Sequence, residues 1–162
     1  MKKVYYSWSD INGAVVELAR SLMASDWRPD YIVGITRGGA VPAVMLSQFM
    51  GIPMHPLEVS LRDGGNCTSD LGTAEDAFEG KKILVVDDIN DQGSTINWIK
   101  NDWPSGCHPN NEAWNNIFHN NVRFAVLTNN LSSKADIDYY CWEVNKAEED
   151  CWLVYPWEEF WK

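Results

Sequence analysis

Apolar residues in the first part of the chain recur at helical spacing: Val15, Val16, Leu18, Ala19, Leu22 and Met23 fall on one face. Ser9 or Asp10, each able to accept a hydrogen bond from a free backbone N–H, would cap the start of that helix, and Trp27-Arg28-Pro29-Asp30 breaks it. The period then changes. Tyr31 to Ile35 is a short β-branched run that predicts a buried strand ending at Thr36-Arg37-Gly38-Gly39. Ala40 to Met50 reads as helix, stopped by Gly51-Ile52-Pro53, and Met54 to Ser60 as a second strand. Ile83 to Val86 is the strongest strand signal. A helix over Ser94 to Asn101 follows, then strands over Val122 to Thr128 and Ile137 to Val144. The acidic turn Ala147 to Asp150 leads into a final segment, Cys151 to Trp161.

Two stretches fit neither period. Residues 61–80 carry Gly64, Gly65, Gly72 and Gly80 with several acids, a composition that predicts a long flexible loop of the kind that serves as a lid. Residues 102–121, rich in Asn, Pro, Gly and Trp, predict an irregular insertion or short helix. Strands alternating with helices predict one α/β domain over residues 1–162. Its mainly parallel central sheet would be flanked by helices, with the core in about 30–130. Ligands of such sheets bind at the carboxyl ends of the strands. Segments 36–39 and 87–95 both follow strands and should open onto that edge.

Composition narrows the function. The chain has 162 residues, enough to bury a core without disulfides or a structural metal. Its net charge of −10 excludes a binder of nucleic-acid backbones, which draws its affinity from Lys and Arg. A small phosphorylated ligand remains compatible, because backbone N–H groups and a helix N-terminus can hold it. Cys67, Cys107, Cys141 and Cys151 form no C-x-x-C pair, and Cys107-His108 has no second cysteine nearby, so free thiols in a reducing compartment are expected rather than zinc. Asp10 interrupts any leader-like apolar stretch, and no run approaches a membrane span. A cytoplasmic protein with no membrane partner is expected.

The chemistry concentrates in residues 87–95. Asp87 and Asp88 are adjacent carboxylates that repel unless a sugar diol or a divalent cation offsets them. Gly93 permits positive φ, and Ser94 and Thr95 put hydroxyls at a helix start where free N–H groups favour an anion. A diol grip followed by a phosphate cradle suits ribose 5-phosphate; a solvated acidic turn is the plainer alternative. Asp91 could be a helix N-cap or an acid–base group.

The run Val85-Val86-Asp87-Asp88-Ile89-Asn90-Asp91-Gln92-Gly93-Ser94-Thr95 resembles the motif with which type I phosphoribosyltransferases bind 5-phosphoribosyl-1-pyrophosphate (PRPP). Gln92 stands where that family usually has Thr, and Asn90 where an apolar residue is common. The segment from Ile35 to Pro42 is similar to the xanthine-guanine members found in bacteria. The resemblance implies that Asp87 and Asp88 hold the ribose hydroxyls, and Asp91, Gln92, Gly93, Ser94 and Thr95 the 5-phosphate. Thr36, Arg37, Gly38 and Gly39 would hold pyrophosphate. It makes Asp91 the catalytic acid–base group beside the purine N7, a position that is acidic in members acting on 6-oxopurines.

The run Trp152-Leu153-Val154-Tyr155-Pro156-Trp157-Glu158 resembles the segment that covers the base in those members. It implies a small hood over about 131–162, with Trp152 and Leu153 at the purine. Glu158, with Asp87 and Asp88, would hold Mg²⁺ partly through PRPP. The family's lysine toward the purine 6-oxygen is replaced at about its position by Asn130, which could donate instead, or Lys134 could reach back. The implied reaction is Mg²⁺-dependent phosphoribosyl transfer from PRPP to xanthine, guanine or hypoxanthine in purine salvage, by a homodimer or homotetramer. A regulator of the same fold that binds PRPP or a nucleotide without turnover is the alternative. A pyrimidine enzyme is disfavoured by Asp91 and by segment 61–80, whose basic residue is Arg62.

Overall fold

The computed structural model describes residues 1–61 and 65–162; Arg62 lies outside them. Its centre is a five-stranded, wholly parallel sheet of β2 (Tyr31–Thr36), β3 (Met54–Glu58), β4 (Ile83–Asn90), β5 (Val122–Asn130) and β6 (Tyr139–Val144), in the order β3-β2-β4-β5-β6. Alternate residues of each strand feed two cores. Ile32, Leu84, Val86, Ala125 and Leu127 pack against α1 (Trp8–Ala24) and α2 (Ala40–Met50). Val33, Ile35, Ile83, Val85, Val122 and Phe124 pack against α3 (Leu71–Phe78) and α4 (Ser94–Gly106). Burial on both faces explains why these strands read as continuous apolar runs. Among the described residues no helix is long and apolar enough to cross a membrane.

Several boundaries differ from expectation for identifiable reasons. The α1 cap is Ser7, not Ser9 or Asp10. Its hydroxyl accepts from Asp10 N, and the Asp10 carboxylate accepts from Ser7 N, a reciprocal capping box. β1 (Lys2–Tyr5) pairs in parallel with β7 (Cys151–Val154) in a separate two-stranded sheet. Segment 61–80 is not loop throughout: Asp70 caps α3 by accepting from Thr73 N at 3.0 Å. α4 continues through Pro104 to Gly106, and a short 3₁₀ turn at Glu112–Asn116 fills part of 102–121. β4 runs on through Asp87–Asn90, because β5 stays paired beside it as far as Asn90↔Asn129.

Candidate functional site

The carboxyl ends of β2 and β4, the N-termini of α2 and α4, and the segment after β6 enclose one cleft of about 1080 Å³. Thr36, Arg37, Gly38, Asp87, Asp88, the whole run from Asp91 to Thr95, Trp152, Leu153 and Glu158 line it. The two segments singled out in the sequence therefore face each other across one space.

Their closeness rests on glycine. A Cβ on Gly38 would collide with the Asp88 carboxylate. One on Gly39 would come within 2.5 Å of Val86 O and 2.7 Å of Asp87 Cα. Gly39 lies behind the cleft wall, packed on β4, and Gly38 fronts it. Side chains at either position would push segment 36–39 off the end of β4. The Thr36–Arg37 peptide bond is cis.

At the other wall the chain leaves β4 at Asp91 and turns into α4 through Gly93, which has φ 89°. Gly93 is the N-cap of α4, so Asp91 is not. No side chain caps this helix. Its first N–H groups are thus left for a ligand, with the positive end of the helix dipole toward the cleft. The turn is held from behind: Lys134 N donates to Gln92 O at 3.2 Å, and a Cβ on Gly93 would lie 2.7 Å from Ala135 N.

Asp87 and Asp88 are tied into their own backbone. Asp87 Oδ1 accepts from Asp88 N, and Asp88 Oδ1 from Ile89 N, both at 2.8 Å. Beneath them the Tyr155 hydroxyl, 2 % exposed, lies 3.2 Å from Asp88 O and 2.9 Å from Thr128 Oγ1. Burial, with the Asp88 charge next, holds the Tyr155 phenol well above its ordinary pKa, so it stays a neutral strut. Tyr155 is sandwiched between Tyr6 and Trp157, at ring separations of 5.4 and 5.0 Å, and Tyr6 stacks on Trp142 at 4.2 Å. This aromatic stack fixes the C-terminal segment against the sheet edge.

Asn130 is not at the cleft surface. It is 5 % exposed at the end of β5; its amide donates to Asp91 O at 2.7 Å, and its Oδ1 accepts from Lys146 N at 3.0 Å and from the Ser132 hydroxyl. A side chain so occupied holds the loop. Lys134 is exposed, and its backbone N–H braces Gln92. The cation beside Asp91 is Lys146, from the turn between β6 and β7. Its Nζ lies 3.1 Å from Asp91 Oδ1 and 5.7 Å from the centroid of Trp152. Sequence reasoning missed Lys146, whose only signal was a lone cation in an acidic turn. Trp152 is 38 % exposed and faces the cleft, whereas its neighbour Leu153, 5 % exposed, belongs mainly to the core beneath.

Known proteins agree with this architecture. The family model described as phosphoribosyl transferase domain matches residues 3–159. The chain is 26 % identical to the hypoxanthine-guanine phosphoribosyltransferase of Schizosaccharomyces pombe, over 96 % of this chain and 89 % of that one. It is 25 % identical to the xanthine-guanine phosphoribosyltransferase of Idiomarina loihiensis, over 97 % and 88 %. The crystal structure of a purine phosphoribosyltransferase from Pyrococcus horikoshii superposes with a TM-score of 0.71 at 28 % identity, covering 99 % of this chain and 97 % of that one.

Proposed function

This chain belongs to the phosphoribosyl transferase domain family, and from that premise we propose that it transfers the phosphoribosyl group of PRPP to a 6-oxopurine, releasing pyrophosphate. The observation that carries the reading is the arrangement around Asp91. One cleft offers a carboxylate pair, an uncapped helix N-terminus and, beside them, an acid paired with a lysine under an indole.

In this reading the α4 N-terminus and the Ser94 and Thr95 hydroxyls hold the 5-phosphate, and Asp87 and Asp88 accept from the ribose hydroxyls. Segment 36–39, with the forked donor of Arg37, receives the pyrophosphate as its bond to the sugar breaks. Trp152 stacks on the base, a contact worth roughly 1–3 kcal/mol. Lys146 donates to the exocyclic oxygen of the purine. The amino group of adenine would set a donor against that ammonium, so the geometry favours oxo over amino purines. Asp91 takes the proton that the base nitrogen loses as its bond to the sugar forms. Tyr155 and Asn130 position Asp88 and Asp91 and touch no substrate.

The carboxylates of Asp87, Asp88 and Glu158 line the same cleft and form an oxygen-only donor set, which suits the hard Mg²⁺ ion. Bound there with PRPP, the ion would offset the charge gathering on the leaving pyrophosphate.

The experiment is pyrophosphate release from PRPP and Mg²⁺ with xanthine, guanine, hypoxanthine, adenine and orotate in turn. Release with one or more of the first three supports the proposal. Binding of PRPP without release from any base would sink it in favour of a regulator.

A further inference from the structure

A second cluster of metal-ligating side chains lies on the opposite flank of the sheet, where α3 packs against the end of α4. Glu75 stands on α3; Cys107 and His108 follow directly after α4. One ligand atom from each lies within 4.8 Å of the other two, and Glu75 Oε1 is already 3.6 Å from His108 Nε2. Around a tetrahedral ion with bonds of about 2.0–2.3 Å, ligand atoms stand roughly 3.3–3.8 Å apart. The cluster therefore needs a contraction of about an ångström and no rebuilding.

The surroundings orient these groups. The Phe78 ring stacks on the His108 imidazole at 4.0 Å, with 20° between the planes. Trp114 Nε1 donates to Cys107 O at 2.9 Å and fixes the backbone behind the thiol. His108 sits at φ 51°, a left-handed conformation that a non-glycine residue adopts at some cost. Cys107 is 4 % exposed, while Glu75 and His108 open to solvent, so the sulfur forms the floor and the other two the mouth. A cation entering here displaces the thiol proton to solvent and meets the Glu75 carboxylate.

We propose that Glu75, Cys107 and His108 bind a zinc-class divalent cation, with a water completing four ligands. A mixed sulfur, nitrogen and oxygen set selects Zn²⁺ over Mg²⁺ or Ca²⁺, which prefer oxygen alone. The ion would clamp α3 to the helix whose other end forms the uncapped wall of the cleft.

The test is titration of zinc(II) into metal-free protein against a chromogenic chelator, with cobalt(II) in parallel. The expected result is one tightly held equivalent, a thiolate-to-cobalt charge-transfer band, and a higher Tm with zinc. Carboxylates of the cleft at the strand ends cannot give that band. Cys107→Ser should abolish it. His108→Gly relieves the left-handed backbone, so the metal-free variant should be at least as stable as wild type while binding zinc more than about tenfold more weakly. Absence of the band, or wild-type zinc affinity in both variants, would overturn the proposal.

Discussion

Asn130 donates from its side chain to the backbone oxygen of Asp91, 39 residues earlier, at 2.7 Å. The same side chain accepts from Lys146 N, so one buried amide sets both partners of the Asp91–Lys146 pair. Asn130→Ala should cost about 1–3 kcal/mol, since it strands buried polar groups. Urea denaturation measures the loss, and steady-state kinetics should show a rise in KM for the base. Unchanged stability and kinetics would remove Asn130 from this role.

Lys146→Met keeps an aliphatic stem of similar length and removes the charge. A charge-assisted hydrogen bond of about 1.5–3 kcal/mol predicts a fall of roughly ten- to a hundredfold in kcat/KM for an oxopurine. PRPP binding should hold, and discrimination against adenine should weaken.

Asp91→Asn retains shape and hydrogen bonding but cannot take a proton. Turnover should fall by about 10²–10⁴, with the PRPP dissociation constant within a few-fold of wild type. Wild-type turnover would refute the proton role.

Gly93→Ala places a side chain where φ is 89° and Ala135 N is 2.7 Å away. Strain and collision together should cost more than about 1 kcal/mol and weaken PRPP binding. Calorimetric titration with PRPP reads the second effect.

Asp70 contributes to the acid limb of stability. Partial burial raises its pKa, but the Thr73 hydroxyl, Thr73 N–H and His55 outweigh this and hold it below its ordinary value. A carboxyl lowered on folding stabilises above its unfolded pKa, and that contribution is lost as pH falls through the folded pKa. Asp70→Asn still caps α3 without titrating. Between pH 5 and pH 3 (on the order of the carboxylate range) its urea midpoint should fall less steeply than that of wild type.

How much of this was legible follows from the physics of each element. β2, β4 and β5 are buried on both faces, so their apolar runs stand out in sequence. β1 is mostly exposed and holds its place only by pairing with β7, which no local pattern reveals. The acids and glycine of Leu71–Phe78 hid a helix whose start depends on Asp70. Asp87 to Asn90 reads as loop by composition and is strand because β5 lies alongside. Segments 36–39 and 87–95 stood out by their residue types, and the structure brings them together in one cleft. Lys146 and Glu75 act only through tertiary neighbours: the first meets Asp91, the second meets Cys107-His108, which in sequence lacked a partner.

The pairing of Lys2–Tyr5 with Cys151–Val154 bears on how the cleft comes into being during synthesis. The first strand made must wait for the last, while the five central strands can already associate. The wall carrying Trp152, and the Tyr6–Tyr155 stack behind it, therefore close over a sheet that is otherwise assembled. Contacts so distant in sequence are slow to form. A nascent chain should thus bring segments 36–39 and 87–95 together well before Trp152 closes the cleft.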